Sequence, residues 1–157
     1  MKDSLRVLLV EDSENDAELL LDLLRSERFE LQSQRVQTAT ELRQALRPGT
    51  WDVVLCDNAM PHLNAKAALA IVVETGLALP VIIVSGAMGE EEAVATIKDG
   101  AADYLLKDRL SRLGQAVRQA VALQRARHER VRTEESLRTA QQTAQTIFDS
   151  APVAILG

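Results

Sequence analysis

Four short aliphatic runs constrain what this chain can fold into: Val7–Val10 (VLLV), Val53–Cys56 (VVLC), Val81–Val84 (VIIV) and Tyr104–Leu106 (YLL). A brief, largely β-branched run bounded by turn residues reads as a strand buried on both faces, the kind that builds parallel sheets. Each run is followed at once by a polar side chain. Glu11 and Asp12 follow the first, Asp57 the second, Ser85 the third and Lys107 the fourth. Ligands of an open parallel sheet bind beyond the carboxyl ends of its strands. Four strand ends therefore deliver acids, a hydroxyl and an ammonium group to one crevice.

Helical segments separate the strands. Asp16–Arg25 carries apolar residues over a helical span with Ser13 placed as its N-cap, and Thr38 or Thr40 caps a short helix that stops at Pro48-Gly49. A third helix is expected from Ala65 to Thr75, ended by Gly76. A fourth is expected between Gly89 and Gly100, with Glu90, Glu91 and Glu92 in its first turn. Phe29–Val36 reads as a weaker edge strand, and the remaining strands as Arg6–Val10, Trp51–Asp57, Leu79–Ser85 and Ala102–Lys107. Strands alternating with helices predict an α/β chain with helices on both faces of a parallel sheet. Five such units match a flavodoxin-like doubly wound five-stranded sheet of order 2-1-3-4-5, with right-handed crossovers.

From Asp108 onward the pattern changes. No Gly or Pro occurs between Gly114 and Pro152, and the strong helix formers Ala, Gln, Arg and Glu dominate. The spacing predicts one extended C-terminal helix from Leu110 to Phe148, its first turns packed on the sheet and the rest projecting. Leu113, Val117, Ala120, Gln124, Arg127, Val131 and Glu134 keep alternating spacings of 4 and 3, then Leu137, Ala140, Ala144 and Ile147 form a second stripe. Stripes with a phase break read as an interrupted coiled coil, weak where the first stripe is polar. Ser150-Ala151-Pro152 reads as a turn with a new strand after it, so the chain is expected to be part of a longer protein. The expected divisions are 1–125, a globular domain; 126–148, a signalling helix; and 149–157, the start of a second domain.

Composition narrows the function classes. Hydrophobic residues make up 46% of the 157 and aromatics only 3%, so the core must be aliphatic. The one cysteine, Cys56, excludes an internal disulfide framework and fits a cytoplasmic setting. It is expected to be buried and unreactive. No apolar stretch approaches the ~20 residues of a membrane span, and acids interrupt the N-terminal apolar run, unlike a signal peptide. The net charge of −5 hides an asymmetry: residues 1–108 hold 10 basic and 19 acidic residues, residues 109–157 hold 8 and 4. The acidic part argues against nucleic acid as a direct partner. The basic tail reads as a solvated helix face.

Glu11, Asp12 and Asp57 would gather like charges that raise one another's pKa unless a cation joins them. Mg2+, held by one or two carboxylates and completed by water and phosphate oxygens, suits such a set. A carboxylate can then act as a nucleophile toward phosphorus. Ser85 and Lys107 are placed to grip phosphoryl oxygens. Phosphoryl transfer asks mainly for positioning and charge neutralisation.

The motifs Glu11-Asp12 in LLVEDS, Asp57 in VVLCDNAMP, Ser85 in VIIVSG and Lys107 in ADYLLKD, in this order, resemble the receiver domain of two-component response regulators over residues 5–125. The resemblance implies that Asp57 is the phosphoacceptor and that Asp12, Asp57 and the backbone carbonyl of Ala59 ligate Mg2+, with Glu11 assisting through water. It implies that Ser85 and Lys107 hold the phosphoryl group, and that Tyr104 is the switch aromatic that turns inward as Ser85 moves. The implied partner is a histidine kinase or phosphotransfer protein. The receiver itself is then a phosphoacceptor rather than a conventional enzyme.

Several departures stand out. Lys107 is followed by Asp108 where the family usually has a cis proline. The usual glycine after Met60-Pro61 is absent, which leaves Asn64 to tolerate a left-handed conformation. Ala59 and Ala87 are small at positions that tune dephosphorylation. The segment IFDSAPVAILG resembles the entrance to a PAS domain, which implies a hybrid histidine kinase-like full protein with a downstream PAS or output domain and a homodimer through the C-terminal helix. His128-Glu129 continues Arg130-Val131-Arg132 and lacks the Leu-Arg-Thr-Pro of a kinase phosphohistidine box, and His62 is expected in an exposed loop. Rival readings are an aspartyl-phosphate phosphatase, a phosphorylation-independent interaction or dimerisation module, and an FMN binder. Ala59 stands where the phosphatase needs a second acid, none of the acids or Lys107 is lost, and EDSEND is too acidic for a phosphate loop.

Overall fold

The computed structural model describes the backbone of residues 3–86 and 89–156, and side chains over the same stretches except 128, 131, 132 and 141–156. Ala87, expected at a position that tunes dephosphorylation, and the side chains of His128, Val131, Ala144 and Ile147 lie outside the described residues. The chain divides into two units, Met1–Ala122 and Leu123–Gly157.

In the first unit β1 (Asp3–Val10), β2 (Phe29–Val36), β3 (Val53–Asp57), β4 (Val81–Ser85) and β5 (Asp103–Leu106) form one sheet of order β2-β1-β3-β4-β5. All four pairings are parallel, as the spacing of aliphatic runs predicts. β3 begins two residues later than expected: the Arg6 N–H donates to the Asp52 carboxylate at 2.8 Å instead of to a backbone carbonyl, and the ladder with β1 starts at Val53. β4 begins after Pro80, which has no N–H to offer a ladder.

The helices are α1 (Glu14–Ser26), α2 (Ala39–Leu46), α3 (Ala65–Glu74), α4 (Glu90–Lys98) and α5 (Leu113–Leu156), the last preceded by a 3-10 turn at Leu110–Arg112. Ser13 and Thr38 cap α1 and α2 by accepting from the N–H groups of Asp16 and Glu41. The Glu41 carboxylate answers by accepting from Thr38 Oγ1 and Gln37 N, a reciprocal cap. Asn64 does not adopt the left-handed conformation expected of it. Its φ of −86° and ψ of 167° are extended, because its side chain caps α3 by accepting from Ala67 N at 2.8 Å, and an N-cap needs that backbone geometry. Gly76 ends α3 at φ +70° and Gly100 follows α4 at φ +115°, conformations that favour glycine.

Period-2 alternation along the central strands sorts the core into two layers. Val7, Leu9, Val53, Leu55, Ile82, Val84 and Leu105 pack with α1 and the first turns of α5. Leu8, Val10, Val54, Cys56, Val81 and Ile83 pack with α2 and α3. Burying each of these Val, Leu and Ile side chains stabilises the fold by about 1.5–3 kcal/mol against leaving it in water. α4 contributes no buried residue, and its Val94 and Ile97 are exposed.

Leu113, Ala116, Val117, Ala120 and Val121 are buried, so the first turns of α5 pack on the sheet as expected. Arg118 secures this end: its guanidinium lies 4.3 Å from the Phe29 ring centroid, pairs with Asp3 at 2.8 Å and donates to the Glu27 carbonyl. In the second unit, the described side chains from Arg125 to Ala140 are exposed, Leu137 among them. The helix does not end at Phe148. It continues to Leu156, where a turn at Ser150–Pro152 and a strand were expected. A strand there would need a neighbour for its backbone groups, whereas a helix pairs its own. Among the described residues, no helix is long and apolar enough to cross a membrane.

Candidate functional site

The alternation that sorts the core also aims the site. Glu11 shares the parity of Leu9, Asp57 that of Leu55, and Lys107 that of Leu105, so all three lie on the α1 side beyond the strand ends. The ladder carries on far enough to hold them there. Glu11 N donates to the Val36 carbonyl at 3.1 Å, Asn58 N to Val84 at 3.2 Å and Lys107 N to Ser85 at 2.7 Å. Ser85 shares the parity of Ile83 and so lies on the face of Tyr104, which packs against the other layer.

Carboxylate oxygens of Glu11, Asp12 and Asp57 come within 4.8 Å of one another. Glu11 and Asp57 are buried and Asp12 is exposed. Lys107 Nζ lies 3.5 Å from Glu11 Oε2 and 3.5 Å from Asp57 Oδ2. The acids and the ammonium of the sequence reading thus form one cluster. Ala59 is exposed in the turn after β3, and its N–H donates to Asp57 Oδ1 at 3.2 Å, which steadies the carboxylate. Ser85 is buried, and among the described residues its hydroxyl makes no hydrogen bond to Glu11, Asp57 or Lys107. Tyr104 is half-buried, and its hydroxyl is covered without a hydrogen-bond partner among the described residues. Among the described residues no peptide bond is cis, so Lys107-Asp108 is trans. Cys56 is buried, and desolvation, with the charges of Asp57 and Glu11, pushes its thiol well above the ordinary range. His62 is exposed.

Burial dominates the electrostatics of Glu11. Desolvation pushes its carboxyl up to about 7, against the hydrogen bond it accepts from Ser13 N, and the charge of Asp57 adds to the rise while that of Lys107 opposes it. Burial works against the Lys107 ammonium. The hydrogen bond to Asp16 and the charges of Glu11 and Asp57 overcome this and raise its pKa. Three carboxylates so close together, two of them buried and one pushed toward neutrality chiefly by desolvation, offer hard oxygen donors, and a divalent cation with oxygen preference fits them.

Two contributors escaped the sequence reading. Asp16 Oδ2 lies 2.9 Å from Lys107 Nζ, nearer than the carboxylates of Glu11 and Asp57. An acid in the first turn of a helix has a ready local explanation in the helix dipole, which hid it. Arg35, near the end of β2, donates from Nη1 to the Glu11 and Asp12 carbonyls at 3.3 and 3.4 Å and holds the loop that presents both acids. Its signal is only its register opposite Leu9, at the end of β1.

Residues 7–118 match the family model described as response regulator receiver domain. Transcriptional regulatory protein ZraR of Escherichia coli (strain K12) is 34% identical over 108 residues, which is 67% of this chain and 23% of that protein. The chain thus spans about a quarter of that relative's length. The signal receiver domain of a putative Luxo repressor protein from Vibrio parahaemolyticus superposes with a TM-score of 0.70 at 25% identity, covering 80% of this chain and 95% of that one. The receiver domain of sensor histidine kinase PA1611 from Pseudomonas aeruginosa PAO1, with magnesium coordinated in its active-site cleft, superposes with a TM-score of 0.64 at 20% identity, covering 76% and 98%.

Proposed function

The chain belongs to the response regulator receiver domain family, a module of two-component signalling, and from that premise we propose that Asp57 is its phosphoacceptor. The observation that carries this is the convergence of Glu11, Asp12 and Asp57 within 4.8 Å, with the Lys107 ammonium 3.5 Å from Asp57. A carboxylate oxygen of Asp57 attacks phosphorus of a histidine-kinase or phosphotransfer-protein phosphohistidine. The new P–O bond forms as the P–N bond breaks, and the imidazole leaves with the electron pair. Lys107 pairs with a phosphoryl oxygen, and Ser85 moves toward the group from the Tyr104 side to donate its hydroxyl to another. Asp12 and Asp57, with the Ala59 carbonyl and with Glu11 through water, would hold Mg2+, which neutralises phosphoryl charge in such sites. The magnesium in the active-site cleft of the PA1611 receiver domain supports a Mg2+ ion in this acidic crevice.

Incubation with acetyl phosphate and Mg2+ tests the assignment by intact mass. The expected result is a gain of one phosphoryl group, lost when Mg2+ is chelated and mapped to the peptide containing Asp57. Mass gain on another residue sinks it, as does beryllofluoride and Mg2+ leaving the spectra of the acidic residues unchanged.

The same reading extends past Ala122. Tyr104 and Ser85 form the switch, and the altered face passes the change into α5, which pairs with a second copy and couples to a downstream PAS or output domain. Exposed Leu137 in the second stripe and the eleven residues from Ile147 support this. Sedimentation checks the pairing: the 157-residue chain runs as a dimer while a chain ended at Gln124 runs as a monomer. Equal masses rule the pairing out.

A further inference from the structure

Lys107 is not held chiefly by the acid it would serve. Its one short hydrogen bond, 2.9 Å, goes to Asp16 in the first turn of α1, while Glu11 and Asp57 stand at 3.5 Å. Ser13 fixes the Asp16 backbone by accepting its N–H at 3.2 Å, and the Ser85 carbonyl fixes the Lys107 backbone at 2.7 Å. Both ends of the pair are therefore tethered, across 91 positions of sequence. Asp16 belongs neither to the cluster of carboxylates within 4.8 Å nor to the strand ends.

We propose that Asp16 is a docking carboxylate for Lys107 in the unphosphorylated state, one that Lys107 must exchange for a phosphoryl oxygen when Asp57 is modified. The inference rests on Asp57 being the phosphoacceptor. A phosphoryl group on Asp57 brings more negative charge to a point that Lys107 already faces. The ammonium then leaves Asp16 for the stronger acceptor, and Asp16, 45% exposed, is solvated by water. Asp16 is a positioning residue: it touches neither phosphorus nor metal. It opposes the phosphorylated state by the worth of one partly exposed ion pair, and so keeps the unmodified receiver in its resting form. Lys107 does not depend on Asp16 to stay in the crevice, because Glu11 and Asp57 still face it.

Beryllofluoride, a phosphoryl mimic, reads this directly at saturating Mg2+, with Mg2+ affinity measured separately for each variant. Asp16→Asn tightens beryllofluoride binding about four-fold, the scale of one such pair. Asp16→Glu restores the wild-type affinity, and in a Lys107→Gln background Asp16→Asn changes nothing. Equal tightening in both backgrounds makes Asp16 a mere source of field and overturns the proposal. Unchanged or weaker binding in Asp16→Asn overturns it too. A denaturation cycle on ligand-free protein covers a Lys107→Gln variant that no longer binds the anion: additive effects of the two substitutions overturn the proposal, and non-additive effects support it. Wild-type protein that binds no beryllofluoride fails the phosphoacceptor reading itself and takes this inference with it.

Discussion

Asp57→Asn is expected to abolish the acetyl phosphate-dependent mass gain entirely, to the level of protein without the reagent, while leaving the protein folded. The amide has no anionic oxygen to attack phosphorus, and no other carboxylate stands in its place. Glu11 has its own surroundings working against its ionised form, and Asp12 is exposed on the outer side of the cluster. The substitution is nearly isosteric, and the Asn oxygen can still accept the Ala59 N–H that now binds Asp57 Oδ1. It removes a charge that raises Glu11 and, with it, the ion pair to Lys107, two opposed effects that leave the metal-free variant melting close to wild type. Mg2+ raises the melting temperature of wild type more than that of Asp57→Asn, because a cation that binds only the folded state stabilises it by mass action. Phosphorylation that persists in the variant removes Asp57 from the role assigned to it.

The second large effect concerns Glu11 and pH. Its carboxyl rises from an ordinary 4.5 to about 7 in the folded protein, first through desolvation. Below the lower value both folded and unfolded chains carry the proton. Between the two values the unfolded chain has lost it and the folded one keeps it. Stability of the metal-free protein therefore falls as pH rises from about 4.5 to about 7 and stays low above that. At about 1.4 kcal/mol for each factor of ten, the fall approaches about 3 kcal/mol. Glu11→Gln removes this slope. It retains the acceptor for Ser13 N and gives up the ion pair with Lys107. The net expectation is a gain of about 2 kcal/mol near pH 8 without Mg2+, together with weaker Mg2+ binding. Urea denaturation at pH 5 and pH 8 in the presence of a chelator checks both. Parallel shifts of wild type and variant between the two pH values sink the argument.

These two residues are legible in the sequence, and the reason is geometric. A strand repeats every two residues, so a polar residue directly after VLLV or VVLC has its face set by the aliphatic residues before it. Leu9 and Leu55 point to the α1 layer, and Glu11 and Asp57 follow them. Caps were equally local: Ser13 and Thr38 lie within three residues of the N–H groups they satisfy. Asn64 lies in the turn that the sequence indicates, but its backbone is extended and not left-handed. A missing glycine drew attention to φ, while the side chain's capacity to cap α3 decided it.

The sequence by itself determined the strands, their parallel order, the acids at their ends and the packing of the first turns of α5, because each follows from periodicity and from residue chemistry within a few positions. Only the tertiary structure decided that Lys107 makes its short hydrogen bond to Asp16 and that Arg35 holds the Glu11 and Asp12 carbonyls. Both side chains are long and flexible, and each meets its partner across a gap in sequence, 91 positions to Asp16 and 24 to the Glu11 carbonyl. No local pattern encodes such a meeting. It requires the sheet to bring the end of β5 and the first turn of α1 beside one another, and the ammonium then settles on whichever carboxylate offers the best hydrogen bond at the least desolvation.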